Sequence, residues 1–112
     1  MITYKIDKET YTLNHEDAIY FYSYDDDTFC RMSDKTVQVN NRLYEIEDEL
    51  MNHGFIRISK WNVVNFNLIH SAFRIFNSRM SIKMINGDKL YVNRTYIKKF
   101  ILYLKEKGEI NG

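Results

Sequence analysis

Gly54-Phe55-Ile56-Arg57-Ile58-Ser59-Lys60-Trp61-Asn62-Val63-Val64-Asn65 holds two strand patterns separated by a polar, basic break. Residues 55–58 alternate, with Phe55 and Arg57 to one side and Ile56 and Ile58 to the other, which is the period of a β-strand. Ser59, Lys60, Trp61 and Asn62 interrupt that alternation with polar, basic and aromatic groups, and Val63-Val64 resumes it. Upstream the period changes. Leu43, Ile46, Leu50 and Met51 recur at helical spacing between acidic residues. The spacing predicts a helix of about three turns, with Asn40 or Asn41 suited to its N-cap and Gly54 to a left-handed cap at its end.

Outward from there the chain reads as short strands. Residues 2–6 alternate, residues 18–24 (AIYFYSY) are aromatic and β-prone, and residues 28–32 and 36–39 are two further strands. Asp25-Asp26-Asp27 and Ser33-Asp34-Lys35 read as turns. Downstream, residues 66–76 read as one or two strands. Residues 79–85 alternate, with Met80, Ile82 and Met84 on one face and Ser81 and Lys83 on the other. Asn86-Gly87 predicts a type I′ hairpin turn, and residues 89–92 return. Tyr96, Ile97, Phe100, Ile101 and Leu104 form an apolar stripe, predicting a last helix over about 95–107 that Gly108 ends. The expected fold is a mainly β, α+β single domain over residues 1–112, with a short middle helix and a C-terminal helix.

Composition narrows the class. The chain has 112 residues, is 45% apolar and 15% aromatic, and has 4 Gly and no Pro, which suits a packed core and excludes a disordered or low-complexity chain. No run of 18 or more apolar residues predicts a membrane span, and the first twenty residues show no signal-peptide pattern. A cytoplasmic domain is expected. Cys30 is the only cysteine. It lies in an apolar strand and reads as a buried structural thiol. The charge is uneven. Residues 1–56 carry five Lys and Arg against twelve Asp and Glu, a balance of −7, whereas residues 57–112 carry eleven against three, a balance of +8. A basic half of this kind suits nucleic acid or an anionic surface.

Catalytic readings find no support in the residues. His15, His53 and His70 are scattered, no metal-ligand spacing is present, and neither a P-loop nor a nucleophile elbow occurs. Asp25-Asp26-Asp27 lacks the spaced oxygens and following Glu of a calcium loop. No catalytic residue, metal, cofactor or small-molecule substrate is expected. Nucleic-acid chemistry fits better. Asn93, Arg94 and Thr95 stand at the start of the last helix, where unpaired backbone N–H groups suit phosphate. Lys98 and Lys99 follow where cations oppose the helix dipole. Arg57, Ser59, Lys60, Trp61 and Asn62 crowd a break between strands, and a loop there can reach a major groove.

At these residues the chain resembles the LytTR family of bacterial DNA-binding domains. Residues 54–69 are similar to the family's "gFiRiHrSyiVNl..I" segment, residues 84–96 to its "l.nG..l.vSR.y" segment, and residues 13–21 to its "l...dI.yie" opening. The resemblance implies an elongated, mostly antiparallel β fold whose inter-strand loops enter successive major grooves and bend double-stranded DNA. It assigns base reading to Lys60 and Arg94, flanking roles to Ser59, Trp61 and Asn93, and phosphate contacts to Arg57 and Lys98. Phe29 and Arg31 are substitutes for the contact of a third region, where this chain carries Asp25-Asp26-Asp27. Ser59 stands where the family has histidine, Trp61 where it has a small serine, and Asn93 where it has the serine of "SR". The receiver domain usual in the family is not expected on this chain, unless the 112 residues are an excised fragment. The chain thus resembles the family's small free-standing regulators, with a second copy on an adjacent direct-repeat half-site and a membrane-protein inhibitor as implied partners. The acidic turn and Ser59 carry a second reading, a protein-interaction module on the same fold.

Overall fold

A computed structural model describes residues 1–77 and 79–108. Among the described residues, ten strands form two antiparallel sheets. The larger contains β1 (Thr3–Ile6), β2 (Glu9–Thr12), β3 (Ala18–Tyr24), β4 (Asp27–Met32), β5 (Thr36–Val39), β6 (Phe55–Arg57) and β7 (Asn62–Asn65), in the order β2-β1-β5-β4-β3-β7-β6. The smaller contains β8 (Ile69–Ile75), β9 (Arg79–Met84) and β10 (Lys89–Val92), with β9 central. Helix α1 (Leu43–Leu50) precedes β6, and α2 (Arg94–Gly108) follows β10. The molecule is elongated, 46 × 29 × 25 Å.

The middle strands are buried on both faces, and the sequence shows why. Phe55 and Val63 enter one core with Phe21, Cys30 and the α1 residues Leu43, Ile46 and Leu50. Their neighbours Ile56 and Val64 enter a second core with Ile58, Met80, Ile82, Met84, Val92 and Phe100. Alternation therefore feeds opposite layers rather than core and solvent. A bulge between Ala18 and Tyr20 lets β3 do likewise. Ala18 and Phe21 face the first core, and Ile19 and Tyr20 the second. Cys30 is fully buried, and burial, aided by the Asp17 charge, pushes its thiol up to about 12.

Several local expectations are corrected. The N-cap of α1 is Arg42, not an asparagine. Its backbone N–H donates to Glu45 Oε1 at 2.7 Å, while Asn40 and Asn41 bind Thr3 instead. A 3-10 turn over Met51–His53 continues α1 to Gly54, which has φ +87° as expected. Strand β2 was not legible, because all four of its residues are exposed and no buried face imposes alternation. Residues 66–68 are a 3-10 turn rather than strand, where Asn65 Oδ1 accepts the Asn67 N–H at 3.2 Å.

The hairpin turns also exchange types. Asn86-Gly87 is not type I′. Gly87 N–H donates to Met84 C=O at 2.9 Å, and of that pair only Gly87, at φ +94°, has positive φ. This is the form with a three-residue loop and a left-handed glycine. The type I′ pattern of two positive φ values falls at Asp25 (+50°) and Asp26 (+69°), because Asp27 already pairs with Tyr24.

Candidate nucleic-acid interface

The break after β6 is a tight loop held by its own side chains. Ser59 is buried, 3% exposed. Its Oγ accepts the Trp61 N–H at 3.0 Å and donates to Asn62 Oδ1 at 3.1 Å. Arg57 is half-buried and commits three nitrogens. Its Nε donates to Ser59 C=O at 2.8 Å, Nη2 to Lys60 C=O at 2.9 Å, and Nη1 to Glu47 Oε1 at 2.7 Å. Neither residue is a free contact group. Both shape the loop, and Arg57 anchors it to α1. What the loop presents outward is Lys60 and Trp61, the latter 55% exposed with the lysine Nζ 5.4 Å from its ring. Asn62 begins β7 and is half-buried.

The second segment starts where β10 ends. Asn93 precedes α2 and accepts the Tyr96 N–H at 2.8 Å. Arg94, Thr95 and Lys98 are exposed. Arg94 and Lys98 are one helical turn apart and so share a face. Lys99 instead lines a hollow between α1 and α2 with Tyr44 and Glu47. The two segments meet: Asn93 N–H donates to Ile58 C=O at 2.9 Å. Residues separated by a third of the chain are thereby fixed side by side.

Two features were not found from sequence. Arg79 joins Asn77, Asn93, Arg94 and Thr95 around one open hollow, because Met80 pairs with Val92 and so puts Arg79 beside Asn93. Only the pairing register, which a single sequence does not print, could have shown this. The other is a polar network beside Asn62. Tyr20 Oη donates to Asp88 Oδ2 at 2.8 Å, Asn86 Nδ2 donates to the same oxygen at 3.0 Å, and Arg31 Nε lies 3.7 Å away. Burial and then the Asp88 hydrogen bond raise the Tyr20 pKa well above the usual phenol value.

The acidic turn sits at the same end. Tyr22 pairs with Asn62, and Ser23 N–H donates to Trp61 C=O at 3.0 Å, so the Asp25–Asp26 turn lies at the same sheet end as the Lys60–Trp61 loop, with Asp26 in a hollow shared with Gln38, Asn40 and Arg42. Among the described residues no group of three or more His, Cys, Asp or Glu could hold a metal ion. No described helix is long and apolar enough to cross a membrane.

Comparison with known proteins agrees with this architecture. The LytTr DNA-binding domain family matches residues 8–105. A sensory transduction protein LytR from Staphylococcus haemolyticus is 35% identical over 59% of this chain and 26% of its own length. An uncharacterized HTH-type transcriptional regulator of Staphylococcus aureus is 32% identical over 83% of this chain and 63% of its own. The chain thus spans between a quarter and under two thirds of these relatives. A Bacillus cereus structure described as a LytTr DNA-binding domain superposes with a TM-score of 0.83 at 24% identity, covering 91% of this chain and 94% of that one. Five strands separate α1 from α2, so these two helices do not form a helix-turn-helix unit. By the family match over residues 8–105 and the fold it shares, the chain belongs to the LytTR family of DNA-binding domains.

Proposed function

We propose that the chain is the DNA-reading domain of a cytoplasmic transcriptional regulator and engages duplex DNA with two loops in successive major grooves. The observation that carries this reading is the 2.9 Å hydrogen bond from Asn93 N–H to Ile58 C=O. It holds two basic segments in a fixed relation, as reading two stretches of one duplex requires. Lys60 and Arg94 are the base readers, and a guanine edge suits either. Lys98 and the N–H groups opening α2 take phosphate. Ser59 and Arg57 position the Lys60–Trp61 loop. A second copy occupies an adjacent direct-repeat half-site, and the DNA bends between grooves.

Selection from a randomised duplex pool at about physiological salt tests this, since phosphate-only binding is weak there. A repeated motif at whole-turn spacing is the expected outcome. Arg94→Ala should cost about 1–3 kcal/mol on the selected site and relax its preference, whereas Lys98→Ala should weaken all duplexes alike. An Arg94→Ala protein with unchanged affinity and preference refutes the assignment.

The acidic turn favours a second reading. Asp25 and Asp26 lie at the same sheet end as the Lys60–Trp61 loop, where carboxylates repel a phosphate backbone. On the DNA reading, Asp25→Asn with Asp26→Asn tightens duplex binding. If the pool yields no motif and this pair changes nothing, the fold serves instead as an interaction module for a protein partner, such as a membrane-protein inhibitor.

A further inference from the structure

The geometry points to a second nucleic-acid surface on the outer face of the small sheet, which takes a single strand by stacking its bases on Phe73 and Tyr91. The strand registers define that face. Phe73 and Tyr91 stand on either side of Ser81 in one row across β8, β9 and β10. Alternation puts Ser81 on the side away from the second core, where Met80, Ile82 and Met84 are buried. It is nevertheless only 2% exposed, while Phe73 and Tyr91 are 53% and 45% exposed. The two rings therefore cover the serine and keep their outer surfaces in water.

The charges on this face are one-sided. Lys83 and Lys89 are directly opposite each other, an arrangement that destabilises a sheet. Arg79 lies one row beyond the rings, 6.0 Å from the Tyr91 ring. The described face carries no carboxylate: Asp88, the nearest acid in sequence, is bound to Tyr20 and Asn86. Aromatic rings between uncompensated cations are what a single-stranded nucleic acid requires, because every base has a face to stack and every linkage a charge. A duplex keeps its base faces inside and cannot use the rings. Lys83 and Arg79 are about 13 Å apart along β9, which spans about two nucleotides. Phe73, Tyr91, Lys83 and Lys89 take no part in the duplex reading proposed above, and only Arg79 borders both surfaces.

The test is fluorescence anisotropy of the full chain with a labelled ten-nucleotide thymidine strand at low salt. Binding is expected, and Phe73→Ala and Tyr91→Ala should each weaken it about five-fold or more. A strand of equal length without bases should bind the unaltered protein as weakly as the thymidine strand binds the double variant. Unchanged binding by a folded double variant, equal binding of the baseless strand, or no binding at all overturns the proposal. If the double variant fails to fold, Lys83→Glu at the same exposed face must lower the affinity, and unchanged affinity overturns it equally. The duplex pool is scored apart. Strand binding without a duplex motif removes only the operator reading, and the reverse removes only this one.

Discussion

Arg57 is placed where a cation can act as a strut. Its side chain is 16% exposed, and its three donors meet a carboxylate on α1 and two carbonyls of the candidate reading loop. Hydrogen bonds to a charged group in such a setting are each worth about 1.5–3 kcal/mol. Arg57→Ala should therefore destabilise the fold by about 1–3 kcal/mol in chemical denaturation. Arg57→Lys should restore little, because a single ammonium cannot reproduce the planar fork. An unchanged midpoint would return Arg57 to the role of a free phosphate contact. The sequence marked Arg57, Ser59, Lys60, Trp61 and Asn62 as one cluster but could not rank them. Ranking depends on which side chains the loop turns inward, and only burial tells Ser59 from Lys60.

At the scale of elements, turn chemistry separates two glycines. Gly87 has φ +94° with nothing within 4 Å of an added Cβ, whereas Gly54 has φ +87° with Asn67 Nδ2 at 3.0 Å. A side chain at Gly87 meets only the backbone penalty, about 1–2 kcal/mol. At Gly54 it must also displace the Asn67 amide. Gly54→Ala should accordingly lower the thermal midpoint further than Gly87→Ala, and the reverse order would show that the Asn67 side chain yields freely. Both glycines were legible in the sequence. The turn types were not, since Asn86-Gly87 and Asp25-Asp26 permit the same backbone options and strand register chooses between them. Helix α2 was legible to within a residue at its start because its apolar stripe is regular. Strand β2 was not, because a hairpin with no buried face obeys no pattern.

For the whole molecule, the uneven charge in sequence has a spatial counterpart. The acidic helix α1 covers one core, and the basic small sheet and α2 build the other. The two layers share β3, β6 and β7, and the charges meet where they join: Arg57 pairs with Glu47 of α1, and the Asp25–Asp26 turn lies at the same sheet end as Lys60. A basic layer that contacts five or six phosphates gives a log affinity falling against log salt with a slope of roughly −5. Duplex titrations between low and physiological salt measure it, and a slope near zero would dissociate the charge from nucleic-acid binding.

Local patterns along the chain were enough for the alternating strands, the stripe of α2, the glycines, and two motif segments with their candidate residues. These follow from side-chain period and backbone preference, which act within a few residues. Tertiary structure alone decided that the middle strands are buried on both faces, that Ser59 and Arg57 build the loop rather than protrude from it, and that Arg79 joins Arg94. It also decided that the Asp25–Asp26 turn shares an end with Lys60. Each of these depends on which strands pair and in what register, a choice made by contacts far apart in the chain that no local pattern encodes.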